Sequence, residues 1–184
     1  MKPSNARTFA DVLAAARSGD SWAYDRLYRQ LARSITGFVT VRGAEDPEAM
    51  TNEVFLKAFR ALDSFDGEEP DFGSWVFSIA RNALIDGHRR SARRPQLAGH
   101  ADVDIKVSPS AEAEAMDVLS IERVTSMLAP LSDDQREVIT LRLVADLSLA
   151  QVAEIVGKPI TAVKALQRRG IRRLQKEIDE TGVS

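Results

Sequence analysis

Residues 149–170 read LAQVAEIVGKPITAVKALQRRG: a short apolar helix, a three-residue break, then a longer helix. The break contains Gly157, and glycine adopts the positive φ that a tight turn between helices needs. Two helices joined by about three or four residues form the helix-turn-helix arrangement. The pattern therefore predicts this unit. The residues expected to pack at its seam are Val152, Ala153, Ile155, Val156, Ile160 and Val163.

The second helix of this unit is strongly basic. Residues 158–176 contain seven Lys and Arg and no Asp or Glu, although the whole chain carries a net charge of −2. Lys164, Gln167 and Arg168 recur at spacings of three and four, which places them on one helix face. Such a face reaches base edges and phosphates in a major groove. The alternative is a solvated face of an ordinary bundle helix, and the turn together with the charge favours DNA binding.

The rest of the chain also has helical periodicity. Apolar residues recur at three and four, without the alternation that marks a strand. We predict an all-α fold. The expected helices span about 9–16, 21–41, 47–62, 73–93, 113–128, 133–144, 149–156 and 160–178.

Residues 95–111 interrupt this pattern with Pro95, Gly99 and Pro109 and few large apolar groups. Such composition is typical of a boundary between domains. We therefore expect two small helical domains, 1–94 and 112–184, joined by a flexible linker. The C-terminal domain contains the helix-turn-helix, and each domain is expected to fold independently.

Several functional classes are disfavoured. The chain has no cysteine, which excludes disulfides and thiolate chemistry. The two histidines, His88 and His100, have no metal-ligand spacing. No signal peptide or membrane-length apolar run is visible, so we expect a cytoplasmic protein without membrane insertion. We expect no catalytic residue, metal, cofactor or small-molecule substrate.

Segments in both halves resemble the extracytoplasmic-function (ECF) sigma factors of the sigma-70 family. Residues 131–139 (LSDDQREVI) and 147–164 resemble the family's C-terminal domain. Residues 52–67 (NEVFLKAFRALDSFDG) resemble the helix that docks on RNA polymerase, and residues 72–86 resemble the segment that recognises the minus-ten element. The order and spacing of these segments also match the family.

The resemblance implies an alternative sigma factor that binds bacterial core RNA polymerase and directs promoter recognition, melting and transcription initiation. It implies contacts with the clamp helices and flap of the polymerase, with duplex and melted promoter DNA, and with an anti-sigma factor. The implied polymerase-binding residues are Asn52, Glu53 and Phe59. The implied minus-ten residues are Phe65, Phe72, Trp75, Asn82, Arg89 and Arg90. The implied minus-35 residues are Thr161, Lys164, Gln167, Arg168 and Arg172.

Alternatives stay open at this point. Phe55, Phe59 and Trp75 also fit a domain core. The acidic groups of the linker, such as Asp102 and Asp104, suit either a basic channel of the polymerase or a solvated tether. The competing function is a helix-turn-helix regulator with a helical sensory or interaction domain, which would bind a palindrome as a symmetric dimer.

Overall fold

A computed structural model of the protein describes residues 7–93 and 123–181, and in these ranges the regular structure is helical. This confirms the all-α prediction. The helices are α1 (Phe9–Arg17), α2 (Ser21–Val41), α3 (Pro47–Arg60), α4 (Glu69–Arg93), α5 (described over 123–128), α6 (Asp133–Leu143), α7 (Leu149–Val156) and α8 (Ile160–Thr181), with a 3-10 turn at Leu62–Ser64.

The sequence prediction was wrong about the connection between α3 and α4. A loop was expected from 63 to 71, but a 3-10 turn occupies its start and α4 begins at Glu69. Pro70 falls in the first turn of α4, where proline costs no intrahelical hydrogen bond. The expected linker, 95–111, and the beginning of the helix expected at 113–128 lie outside the described residues.

Serine side chains fix where two C-terminal helices begin. Ser132 and Ser148 are the N-caps of α6 and α7, and each hydroxyl accepts a hydrogen bond from the backbone N–H three residues later. The side-chain oxygens of Gln135 and Gln151, three residues after the serines, accept hydrogen bonds from the serine N–H groups. Both ends are thus capping boxes, which satisfy backbone donors that a helix otherwise leaves free. The expected N-caps are confirmed.

Helices α1 to α4 enclose an aromatic core. Phe38 of α2 and Phe77 of α4 are fully buried, and their rings meet edge to face with centroids 5.5 Å apart. Arg17 donates hydrogen bonds to the carbonyls of Leu62 and Phe65, which holds the 3-10 turn against α1. The turn is thereby fixed at the start of α4.

The two halves of the chain pack against each other. Val41 at the end of α2 is buried in a cluster with Leu128, Leu131 and Ile139 from the C-terminal half. A Cβ on Gly37 of α2 would meet Val144, just after α6, at 3.4 Å. Helix α7 in turn contacts α4. Apolar burial therefore contributes to the relative position of the halves, a tertiary feature that helical periodicity does not reveal.

Within the C-terminal half, α8 crosses α6 at Gly170. This glycine is buried, and a Cβ there would lie 2.4 Å from Cδ1 of Ile139, which is itself 1% exposed. The absence of a side chain at 170 is what permits this approach.

We predict that Gly170→Ala lowers the free energy of unfolding through this clash by about 1–3 kcal/mol, less what alanine gains as a helix former. Ile139→Val removes the clashing methyl, so the double variant should be more stable than the sum of the single effects by at least about 0.5 kcal/mol. Urea unfolding of the four proteins checks this. Strict additivity would contradict the proposed contact.

Candidate nucleic-acid and polymerase interfaces

The helix-turn-helix is formed by α7, the turn and α8. Gly157 has φ of +65° and lies in the left-handed region, as the sequence predicts. The N–H of Lys158 donates to the carbonyl of Ala153 at 3.1 Å, which closes the end of α7 before α8 begins at Ile160. The seam prediction holds for the buried residues Val152, Ile155, Val156 and Val163. It was wrong for Ile160, which is 42% exposed.

The outward face of α8 is rich in positive charge. A shallow groove is lined by Lys164, Gln167, Arg168, Ile171, Arg172 and Gln175. In the part of the chain that the structure describes, Lys164, Arg168 and Arg172 make no ion pair. Arg173 and Lys176, by contrast, are paired with Glu177 and Glu180. The predicted residues thus present free cations on one face, and exposed Thr161 lies one turn before them.

A second candidate face runs along α4. Trp75, Asn82 and Arg89 are seven residues apart, which keeps them on one side of the helix over about 21 Å. Asn82 and Arg89 are exposed, while Trp75 is half-buried against Phe65 with ring centroids 5.1 Å apart. An indole edge, an amide and a guanidinium in line can contact successive unstacked bases and their phosphates.

A third candidate face is an apolar groove between α2 and α3. Tyr24 contacts Phe59 and Tyr28 contacts Phe55, with ring centroids 4.8 and 4.6 Å apart. Asp25, Asn52 and Leu56 complete the lining. Partial burial, together with the charge of Glu48, raises the pKa of the Tyr28 hydroxyl. Leu56 is 45% exposed, so this groove offers an apolar surface with a polar rim.

Glu53 faces away from that groove. Its carboxylate lies 2.7 Å from Lys57 Nζ and 3.4 Å from Arg90 Nη2. Partial burial raises the pKa of Glu53, but the hydrogen bonds and charges of Lys57 and Arg90 outweigh it, so the pKa lies below its ordinary value. Glu53 therefore stays ionised and holds Arg90 beside α3.

Comparisons with known proteins match both halves of the chain. The family model for Sigma-70 region 2 matches residues 23–94, and the model for Sigma-70, region 4 matches residues 127–176. The ECF RNA polymerase sigma factor BldN of Streptomyces coelicolor is 31% identical over 176 residues, which cover 94% of this chain and 67% of BldN. The ECF RNA polymerase sigma factor SigK of Mycolicibacterium vanbaalenii is also 31% identical, covering 90% of this chain and 86% of SigK.

This chain is an ECF sigma factor. A solved structure of CnrH in complex with the cytosolic domain of CnrY superimposes with a TM-score of 0.65 at 27% identity, covering 92% of this chain and 96% of CnrH. The sigma factor binds core RNA polymerase and directs promoter recognition, melting and initiation; proteins of this family are initiation factors rather than enzymes. The regulator alternative fails because region 2 occupies the N-terminal half.

Two residues predicted to contact the minus-ten element are core residues of this sigma factor. Phe72 is 0% exposed and Phe65 is 4% exposed, and their rings pack edge to face. Neither ring offers a surface to a base in this conformation, so their role here is to support Trp75. An aromatic residue in a loop fits either role in the sequence, and burial decides between them. Phe55, at 2% exposure, is likewise core, whereas Phe59 is only partly buried.

Sequence reasoning missed the groove tyrosines and one buried carboxylate. Tyr24 and Tyr28 are four apart on α2, as are Phe55 and Phe59 on α3, and this matching spacing was the available signal. Glu137 of α6 is 4% exposed, and its partners, Arg42 just after α2 and Arg81 of α4, are far away in sequence. No local pattern could have identified it.

Across the described residues, no three His, Asp or Glu side chains form a metal-binding group. No helix in that part of the sigma factor is long and apolar enough to cross a membrane.

The turn at Gly157 yields a prediction about stability. Gly157→Ala should lower the free energy of unfolding by about 1 kcal/mol, because an L side chain is strained in the left-handed region. Nothing lies within 4 Å of a Cβ there, so the cost is conformational rather than steric. Gly157→Asn is the matched control and should cost clearly less, since asparagine tolerates this region. Urea unfolding measures both, and equal losses for the two variants would argue against this explanation.

Proposed function

We propose that the outward face of α8 reads the minus-35 element as duplex DNA. The observation that carries this is the row of three cations, Lys164, Arg168 and Arg172, which line one groove on the second helix of a helix-turn-helix and have no acidic partner among the described residues. Gln167 lies between them and can donate to and accept from a base edge. Thr161, near the N-terminus of α8, suits a phosphate contact. The cations supply affinity, and the amide and guanidinium groups supply selectivity.

The proposal extends to the other two faces. Trp75, Asn82 and Arg89 on α4, with Arg90 beside them, would capture unstacked bases of the melted minus-ten element. Extruding a base costs a few kcal/mol, which stacking on the indole and hydrogen bonds to Asn82 would offset.

The groove between α2 and α3 would receive a clamp helix of core polymerase. Leu56 and Phe59 supply apolar contacts there, and Asn52 and Asp25 lie at the polar rim. A buried apolar centre with a polar rim is the usual organisation of a protein interface. Glu53 would act indirectly, by orienting Lys57 and Arg90.

Further partners follow from the family. The C-terminal domain would contact the polymerase flap, and an anti-sigma factor would regulate the protein, as the complex of CnrH with the cytosolic domain of CnrY illustrates for a relative. The work of a polymerase subunit places the protein in the cytoplasm. Domain limits of 1–94 and 112–184 are part of the proposal.

We predict that Lys164→Ala and Arg168→Ala weaken binding of the holoenzyme to the minus-35 duplex. A base contact should cost roughly 1–3 kcal/mol and relax preference at one position, whereas a phosphate contact should reduce the salt slope by about one. Arg173→Ala is the matched control, because Arg173 is paired with Glu177. Fluorescence anisotropy across a salt series measures these effects. Wild-type affinity and salt slope in both variants would refute the assignment of α8.

We also predict that Leu56→Ala weakens binding to core polymerase by roughly three- to tenfold, because fully burying a leucine contributes roughly 1.5–3 kcal/mol and Leu56 has 45% of its surface left to bury. Leu143→Ala is the control, since Leu143 is 73% exposed on α6 and lies outside the groove. Competition between labelled wild-type protein and each variant for core polymerase gives the affinities. Equal affinity for the two variants would count against the groove as the docking surface.

A further inference from the structure

Helix α1 contacts the 3-10 turn that precedes α4 at two points. The guanidinium of Arg17 donates hydrogen bonds to the carbonyl of Leu62, at 3.3 Å, and to the carbonyl of Phe65. Eight residues earlier on the same helix, the ring of Phe9 meets the ring of Phe65 edge to face, with centroids 6.3 Å apart. The two ends of α1 therefore hold both the backbone and the ring of Phe65.

Phe65 passes this restraint on to Trp75. The two rings have centroids 5.1 Å apart, and Phe65 is 4% exposed whereas Trp75 is half-buried. The fully buried ring of Phe72 lies 5.9 Å from the indole and 5.5 Å from Phe65. Buried side chains are close-packed, so one of them cannot move without its neighbours. The position of the indole therefore depends on where Phe65 is held.

The backbone at Gly67 also limits where the Phe65 ring can lie. A Cβ on Gly67 would be 2.9 Å from Cζ and 3.1 Å from Cε2 of this ring, which is closer than a Cβ normally approaches another carbon. The chain thus folds tightly over the ring just after the turn. Arg17 fixes the backbone of Phe65, and the backbone at residue 67 confines its ring.

We propose that Arg17 is a positioning residue for the capture of unstacked minus-ten bases. It holds the turn, the turn fixes Phe65, and Phe65 keeps the indole of Trp75 in one orientation. An aromatic platform that is already ordered loses less conformational entropy when a base stacks on it, so its affinity for the base is higher. This inference rests on the proposed role of the α4 face in binding single-stranded DNA.

The first test compares binding of the holoenzyme to the two promoter elements. Arg17→Ala should weaken binding to a minus-ten single strand by about fivefold to tenfold, part of what one stacked base contributes. Affinity for the minus-35 duplex should not change, because the proposed duplex contacts are on α8. Arg17→Lys keeps the charge but lacks the planar fork that spans two carbonyls, so its loss should be intermediate. Arg26→Ala removes an exposed arginine of α2 and is the matched control. Fluorescence anisotropy of labelled oligonucleotides gives the affinities.

The second test observes Trp75 in the free chain. Trp22 and Trp75 are the two tryptophans of the sequence, so Trp22→Phe leaves Trp75 as the only one. In that background Arg17→Ala should shift the tryptophan emission to longer wavelength, because the indole loses packing against Phe65 and gains contact with water. Gly67→Ala displaces the same ring by a different route and should produce both effects. The test therefore does not depend on the folding of one variant.

The outcomes distinguish this inference from the proposed function. Trp75→Ala should itself weaken single-strand binding, and if it does not, the base-capture role fails and the inference with it. If Trp75→Ala weakens binding but Arg17→Ala leaves either the affinity or the emission unchanged, the positioning role alone is overturned. An equal loss on single strand and duplex would also overturn it. So would a shallower salt dependence in Arg17→Ala, which indicates a direct contact with a phosphate.

Discussion

The buried carboxylate of Glu137 and its two arginines fix how the halves of this sigma factor meet. A charge at 4% exposure is tolerable only where opposite charge and hydrogen bonds replace water, and Arg42 and Arg81 provide both from the other half. Apolar packing of Val41 against Leu128 and Leu131 adds area to the same contact. As a result of this contact, α6 lies against the end of α2, and α7 lies over the start of α4, beside Trp75.

Positive charge is unevenly distributed along the chain. The chain is slightly acidic overall, yet residues 158–176 contain seven basic residues and no acidic one. On α8 the cations at 164, 168 and 172 stay unpaired among the described residues, while those near the end of the helix are neutralised by local acids. On α4, Arg81 and Arg90 are held by Glu137 and Glu53. If α8 binds duplex DNA as proposed, its cations would gain affinity from counterion release, whereas Arg81 and Arg90 of α4 are already paired with carboxylates.

Local features could be predicted from sequence because local physics determines them. The turn at Gly157, the capping serines 132 and 148 and the bounds of α2 all follow from propensities within a few residues, and the structure confirms them. The candidate sites were predictable only in part. Residue type places Lys164 and Arg168 outward, but it does not distinguish a buried Phe72 from a base-stacking one. Contacts between residues far apart in sequence, such as Glu137 and Arg81, depend on tertiary packing, which the spacing of apolar residues does not predict.

Reconstituted transcription tests whether the two proposed DNA-contacting faces act together in initiation. Purified core polymerase with this protein would be given a library of promoters that varies in two elements and in their spacing. Run-off transcripts are expected from a restricted set of promoters that share an upstream element, a minus-ten element and a fixed distance between them. Transcription that ignores the upstream element, or no initiation above core polymerase alone, would contradict this expectation.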